Sequence, residues 1–358
     1  MPAMARLTAR LPQVIALGTV LMLPVLYANG EWLAARLTER TLALWLERGQ
    51  RVPKLVWNKP ARTSSISTQS RTLTARAVLT RTVGRYVLPE DSLITQVVHT
   101  PMGWVAVTFD AGAWVLNDGA VQPLPFGQRV NEVQVHQDNL WAATDEGLYT
   151  LRSNGSAARV ASGTFTSLAS WQGGLWALSR AGVSHVANGQ IRTWGKSFGF
   201  DADAPSVLRV CGTSLCACAT NGVFAFDGQR FTRHSAAGAQ LPNDFATELA
   251  SDGTVSWVGT FDAGLAHWHD GHIQRWTPLN GLPDGRVQPR SLVATGLGAV
   301  FGTPSGLYSV QGDTLSEWRL EGQRFAAVSA LAAGDQGRFW VGLKGRVLQV
   351  ELTEEPQI

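Results

Sequence analysis

Charge is scarce in this 358-residue chain, at 16% Asp, Glu, Lys and Arg, and so are tyrosine (4) and cysteine (3). What basic charge there is lies at one end. Residues 1–72 hold 10 Lys/Arg against 3 Asp/Glu, whereas residues 73–358 hold 20 against 24. A nucleic-acid surface needs clustered Lys and Arg to neutralise phosphates, so a mildly acidic body argues against a nucleic-acid partner.

The three cysteines, Cys211, Cys216 and Cys218, share one stretch, VCGTSLCAC. C-x4-C-x-C is not a zinc spacing, and only one conventional pair is available for a disulfide. A hairpin turning at residues 212–214 would bring Cys211 toward Cys216 across the ladder. The other reading, small buried thiols filling a strand pair, stays open beside it.

Enzyme signatures are missing. The chain has no G-x-S-x-G elbow, no Cys beside a His signal and no glycine-rich phosphate loop opening a helix. His267, His269 and His272 in HWHDGH lack a carboxylate or Cys partner at zinc spacing and read as surface residues. Glu132, Glu248, Asp203 and Asp244 look too scattered in repeat phase to form an acidic centre. The expectation is a protein that is not an enzyme, with no cofactor and no metal.

What is abundant is tryptophan (14) and glycine (37), with 16 prolines, the inventory of short strands, tight turns and buried aromatics. Residues 11–27, LPQVIALGTVLMLPVLY, carry no charge and follow Arg6 and Arg10, the pattern of a signal peptide or an uncleaved anchor. Residues 1–30 are thus read as membrane anchor or signal segment. Residues 31–50 follow as an amphipathic helix with Leu33, Leu37 and Leu44 on one side, and 51–72 as a Ser/Thr-rich basic linker.

From residue 73 a repeat takes over. Segments beginning at Val105, Trp141, Trp176, Cys216, Trp257, Val300 and Trp340 each alternate apolar and small residues, turn at a glycine and resume as a strand. The turn glycines, Gly112, Gly147, Gly182, Gly222, Gly264, Gly306 and Gly345, are spaced by 35, 35, 40, 42, 42 and 39 residues. That length fits four short strands with their turns. The expectation is an all-β, seven-bladed β-propeller of four-stranded blades over residues 73–358, preceded by an N-terminal membrane helix. The last copy is truncated, so the strand-like residues 73–98 are expected to complete the final blade and close the ring.

One unit, WVGTFDAGLAHWHDGHIQRWTPLNGLPDGRV (257–287), resembles the two-component regulator propeller repeat: Trp-x-Gly-Thr, a turn, Gly-Leu, an aromatic stretch and Gly-Leu-Pro. The resemblance extends loosely over residues 73–352. It implies a periplasmic sensor propeller of the kind found in hybrid histidine kinases, reading a carbohydrate ligand. This sequence shows no second membrane segment and no kinase after the propeller, so signal transduction is expected to pass through a partner.

Together these readings point to a single-pass inner-membrane protein with its propeller in the periplasm, or a secreted one if the leader is cleaved. It would bind a protein partner or a carbohydrate ligand, as sensor or scaffold. The alternatives are a structural assembly subunit and a propeller enzyme such as a lactonase or quinone-dependent dehydrogenase. Candidate ligand-binding residues sit in the turns after the Trp-type strands and in the long connections between units: Asp110, Arg129, Asn131, Asn243, Asp244, Asp262, Asp284, Arg286 and Arg324. Arg129, Arg286 and Arg324, placed where inner strands begin, would suit an oxyanion or a sugar hydroxyl.

Overall fold

A computed structural model describes residues 74–353 except positions 90, 188–189, 254–255, 270–271 and 297. The predicted membrane segment (11–27), the helix at 31–50 and the linker at 51–72 lie outside the described residues. Among the described residues there is no α-helix, and none long and apolar enough to cross a membrane.

The body is built from strands: β1 (Thr74–Val87), then four-stranded antiparallel sheets. The first holds β2 (Ile94–Thr100), β3 (Gly103–Thr108), β4 (Ala113–Asn117) and β5 (Ala120–Pro123). The second holds β6 (Val130–His136), β7 (Asn139–Thr144), β8 (Gly147–Leu151) and β9 (Ala157–Ser162). The third holds β10 (Ser167–Trp171), β11 (Gly174–Ser179), β12 (Gly182–Ala187) and β13 (Gln190–Trp194). The fourth holds β14 (Val207–Cys211), β15 (Ser214–Ala219), β16 (Gly222–Phe226) and β17 (Phe231–His234). The fifth holds β18 (Ala246–Ser251), β19 (Ser256–Thr260), β20 (Leu265–His269) and β21 (His272–Trp276).

The rest forms a single larger sheet. It takes β22 (Leu292–Thr295), β23 (Gly298–Thr303), β24 (Gly306–Gln311), β25 (Thr314–Leu320), β26 (Gln323–Arg324), β27 (Ala330–Ala333), β28 (Arg338–Leu343) and β29 (Arg346–Leu352), together with β1.

The expectation of seven separate four-stranded blades is corrected here: five four-stranded blades stand alone, and the last two repeats share one nine-stranded sheet. The cause is β1. Its 14 residues reach about 46 Å at the rise of an extended strand, long enough to serve two neighbours. Residues 74–80 pair parallel with β25, and residues 80–87 pair antiparallel with β29, with a register shift between Thr82 and Gly84. The seam between the last two repeats is therefore hydrogen-bonded as well as packed. β1 also supplies the strand that the truncated final repeat lacks.

The first strands follow one another around an axis: β2 beside β6, β6 beside β10, then β14, β18, β22 and β27, which lies again beside β2. Between neighbouring sheets lie apolar layers. Trp171, Trp176, Trp194, Phe224, Phe226 and Phe231, all buried, fill the wedge between the third and fourth blades. Burying a side chain of that size contributes about 1.5–3 kcal/mol.

The Trp-type segments are the second strands, and the small residue that ends them has a defined task. Thr108, Thr144, Thr260 and Thr303 are fully buried, and each hydroxyl donates to the carbonyl of the turn glycine, at 2.9, 2.8, 2.8 and 3.2 Å. At Gly264 the turn needs φ +87, and a Cβ there would run into the carbonyl oxygen of Trp276. Backbone cannot swing aside as a side chain can. Gly264→Val is therefore expected to destabilise the propeller by about 3 kcal/mol in chemical denaturation, whereas Gly296→Ala, at a position without a left-handed φ and with open space around an added Cβ, should cost far less.

Candidate functional site

Three first strands share a defect. The register shifts between Ile94 and Gln96 in β2, between Val130 and Glu132 in β6, and between Ala246 and Glu248 in β18. A bulge inserts one residue and re-aims the side chain after it. In all three strands the re-aimed side chain is polar, buried and turned to the next strand of the ring. Gln96 accepts from the Val133 amide at 2.8 Å and donates to its carbonyl at 3.0 Å. Glu132 accepts from the Leu168 amide at 3.2 Å, and Glu248 from the Arg290 amide at 2.6 Å. At the third blade the Ser167 hydroxyl does the same for the Leu208 amide, at 2.9 Å. Neighbouring first strands are thus tied by side chain to backbone, where no sheet ladder joins them.

Two arginines complete the arrangement. Arg209 on β14 donates from Nη1 to Glu132 at 2.8 Å and from Nε to Glu248 at 3.0 Å. Arg290, just before β22, donates from Nη2 to Glu132 at 3.4 Å and to the Thr166 carbonyl at 2.9 Å. Ser167 donates to Glu132 as well. Both glutamate side chains are 2% exposed, so their charges depend on these partners. Burial works against the charge of Arg209, yet Glu132 and Glu248 outweigh it and hold the guanidinium well above its ordinary pKa. Beside them, burial and the charge of Glu248 push the Cys218 thiol up, with Arg209 opposing.

A channel of about 310 Å3 runs along the axis past this cluster, lined by Gln96, Gln134, Ser170, Arg209, Glu248 and Arg290 among others. Two carboxylates against two guanidiniums leave it without net charge. The carboxylates are committed to ion pairs and backbone amides, an arrangement suited to holding strands in place rather than to moving protons.

The sequence-derived candidates lie elsewhere. The turns between second and third strands meet the segments that lead into first strands, through a recurring backbone bond such as Phe109 N to Leu93 O at 3.0 Å and Phe261 N to Phe245 O at 3.0 Å. Asp110 accepts from Ser92. Arg129 and Asn131 converge on Asp145, at 3.8 and 3.0 Å. Asn243 accepts the Phe245 amide, and Asp244 accepts the Ala236 amide.

Asp262, Asp284 and Arg286 come together at one junction. Arg286 lies over the ring of Phe261 at 4.3 Å, and Phe261 stacks on Phe245 with ring centroids 4.8 Å apart. Burial lowers the pKa of Arg286 while Asp284 and Asp262 counter it. Asp284 also accepts from Ser305 at 3.2 Å.

Arg324 departs from the expectation. It lies on β26, paired with β25 and bonded to Glu317 at 2.7 Å, away from the points where first strands begin.

One further reading is corrected. Glu132 and Glu248 are not scattered but bridged by one arginine, whereas Asp203 and Asp244 stay in turns. Arg209 and Arg290 were missed altogether. A signal existed: Gln96, Glu132 and Glu248 each fall 15 or 16 residues before the turn glycine of their unit, inside apolar runs. Cys211 and Cys216 are joined as a disulfide, with Cα atoms 6.0 Å apart, and Cys218 is a free buried thiol. In register Cys216 faces Arg209 and Cys211 faces Ser214, so the bridge is diagonal. Of the histidine triplet, His267 stacks on Trp257 at 4.2 Å, and no metal-binding group of His, Cys, Asp and Glu occurs among the described residues.

Solved structures share this fold. The extracellular domain of a protein described as the hybrid two-component system BT4673 of B. thetaiotaomicron matches with TM-score 0.62 and 15% identity, covering 75% of this chain and 39% of that one. This chain therefore spans about two fifths of that relative. Streptogramin B lyase matches with TM-score 0.61 and 12% identity, covering 75% and 97%. The WD40 domain of Neurospora crassa Pan2 matches with TM-score 0.55 and 10% identity, covering 80% and 98%. No family model matches the sequence, and no curated protein does. At such identities the likeness establishes the propeller fold, shared by sensor domains and enzymes alike.

Removing one partner of a buried ion pair strands the other. Arg209→Met is expected to cost about 3–5 kcal/mol in urea denaturation, while Arg129→Met, which removes an exposed guanidinium 3.8 Å from Asp145, should cost under about 1 kcal/mol.

Proposed function

We propose that this chain is a propeller held at a membrane outside the cytoplasm, which recognises a protein or glycan on its turn face and passes the event to a partner. The observation that carries the reading is a division of polar groups. The charged residues of the channel are bound to one another and to backbone amides, whereas Asp110, Arg129 and Asp262 remain exposed and Asp284 and Arg286 half-buried on the turn face. A stiff ring with solvent-accessible polar turns is a recognition scaffold. The Cys211–Cys216 disulfide suits an oxidising compartment. The uncharged stretch at 11–27 after two arginines suits a tether with the body exported. Kinship with the two-component regulator propellers fits the shared fold and the 257–287 repeat.

A propeller enzyme is the second reading, favoured by the likeness to streptogramin B lyase over 97% of that protein. Against it stands the commitment of Glu132 and Glu248 to Arg209. The two readings separate on a glycan array and on cross-linking in native membranes, using the full chain. Recognition at the turn face predicts capture that falls about tenfold or more when Asp262, Asp284 and Arg286 are changed to Ala, with the melting temperature nearly unchanged. Equal capture by wild type and variant would refute this placement.

A further inference from the structure

We infer that the axial channel binds a small uncharged molecule with an apolar body and a carbonyl oxygen: a ketone, ester or amide rather than a salt. The inference stands apart from the turn-face reading, since none of the turn-face candidates lines the channel.

Donors outnumber acceptors in the channel. All four oxygens of Glu132 and Glu248 already accept. Glu132 takes bonds from Arg209, Ser167, the Leu168 amide and Arg290. Glu248 takes bonds from Arg209 and from the Leu249 and Arg290 amides. The guanidiniums are not used up in the same way. Arg209 Nη2 makes one long contact, 3.5 Å to Glu248. Of the three Arg290 nitrogens only Nη2 is bonded among the described residues, and Nε is buried without a partner. Exposure divides along the same line: the side chains of Arg209 and Arg290 are 24% and 13% exposed, against 2% for both carboxylates. A molecule in the channel therefore meets N–H groups with the carboxylates behind them, and must bring an acceptor.

Charge narrows the choice further. Two carboxylates balance the two guanidiniums, so an anion would add an uncompensated charge where solvent screening is poor, whereas a neutral oxygen would not.

The walls call for the apolar part. Val98, Leu168, Val210, Leu292 and Leu331 line the channel beside the polar belt. Val210 and Leu292 continue into an adjoining hollow with Ala250, Val293 and Ala294. Val210 is 36% exposed inside this concavity rather than on the outer surface. The channel's 310 Å3 is the room of about ten waters, but water needs several polar partners and these walls offer it few. A concave apolar wall with a few convergent donors is the usual build of a small-molecule site.

Acetophenone, benzoate and ethylbenzene are close in size and differ in the group they would turn to Arg209: a neutral acceptor, an anion and no acceptor. Each is titrated calorimetrically into full-length protein, with Val210→Trp and Gln134→Trp prepared identically to account for partition elsewhere. Acetophenone is expected to bind, with benzoate and ethylbenzene weaker by about tenfold or more. Either tryptophan should fill the channel and abolish binding. Acetophenone should also move the guanidinium N–H resonances of Arg209 or Arg290.

Strongest binding by benzoate would make the channel an anion site, and equal binding by ethylbenzene would leave the donors without a role; either result overturns the inference. So does the absence of saturable binding by acetophenone, or binding that leaves the arginine resonances unmoved. Binding that persists in a tryptophan variant with the wild-type melting temperature overturns it as well. Should a tryptophan variant melt early, the three-ligand series and the arginine resonances decide the matter by themselves.

Discussion

The structure depends on satisfying backbone amides where sheets of a propeller converge. Around the axis the first strands stand side by side without a ladder between them, so their inward N–H groups need other acceptors. Gln96, Glu132, Ser167 and Glu248 supply these, each reaching from its own strand to the next. The bulges in β2, β6 and β18 aim three of the four. Using glutamate for two of them brings a buried negative charge into the ring, and Arg209 and Arg290 neutralise it. The arginines also lengthen the reach of the contacts, since Arg290 joins the approach to β22 with β6 across the axis, 158 residues away in sequence.

The remaining architecture follows from closure. A ring of blades closes only if the chain's two ends meet, and β1 achieves this by lying along β25 and then along β29. A strand of half the length would complete the last repeat and leave the seam to side chains alone. The long strand is why the final two repeats form one sheet.

Much of this was legible in the sequence. The glycine period, the alternation around each Trp-type segment and the truncated last copy define the repeat and predict that an N-terminal strand finishes it. The double pairing of β1 was not legible, because parallel pairing with β25 depends on where the ring places two distant segments. Composition also favoured the turns as the place for charged chemistry, since Asp, Asn and Arg are plentiful there. They are plentiful for conformational reasons, and most of the candidates bind their own turn or the next one. Glu132 and Glu248 were set aside because a bulge offsets their phase by one residue, and a one-residue shift in a strand exchanges inside for outside. Arg209 could have been noticed as a lone charge in the apolar run VLRVC.

Side chains from adjacent sheets, rather than water in the channel, hold the inward amides of the first strands. Native-state hydrogen exchange of the Val133, Leu168, Leu208 and Arg290 amides tests it most directly. These four should exchange only when the whole propeller unfolds, with protection matching that of the central ladder amides of β7, β11 and β19. Rapid exchange of these amides while the ladders stay protected would show that the axis is wet and locally open, and would contradict it.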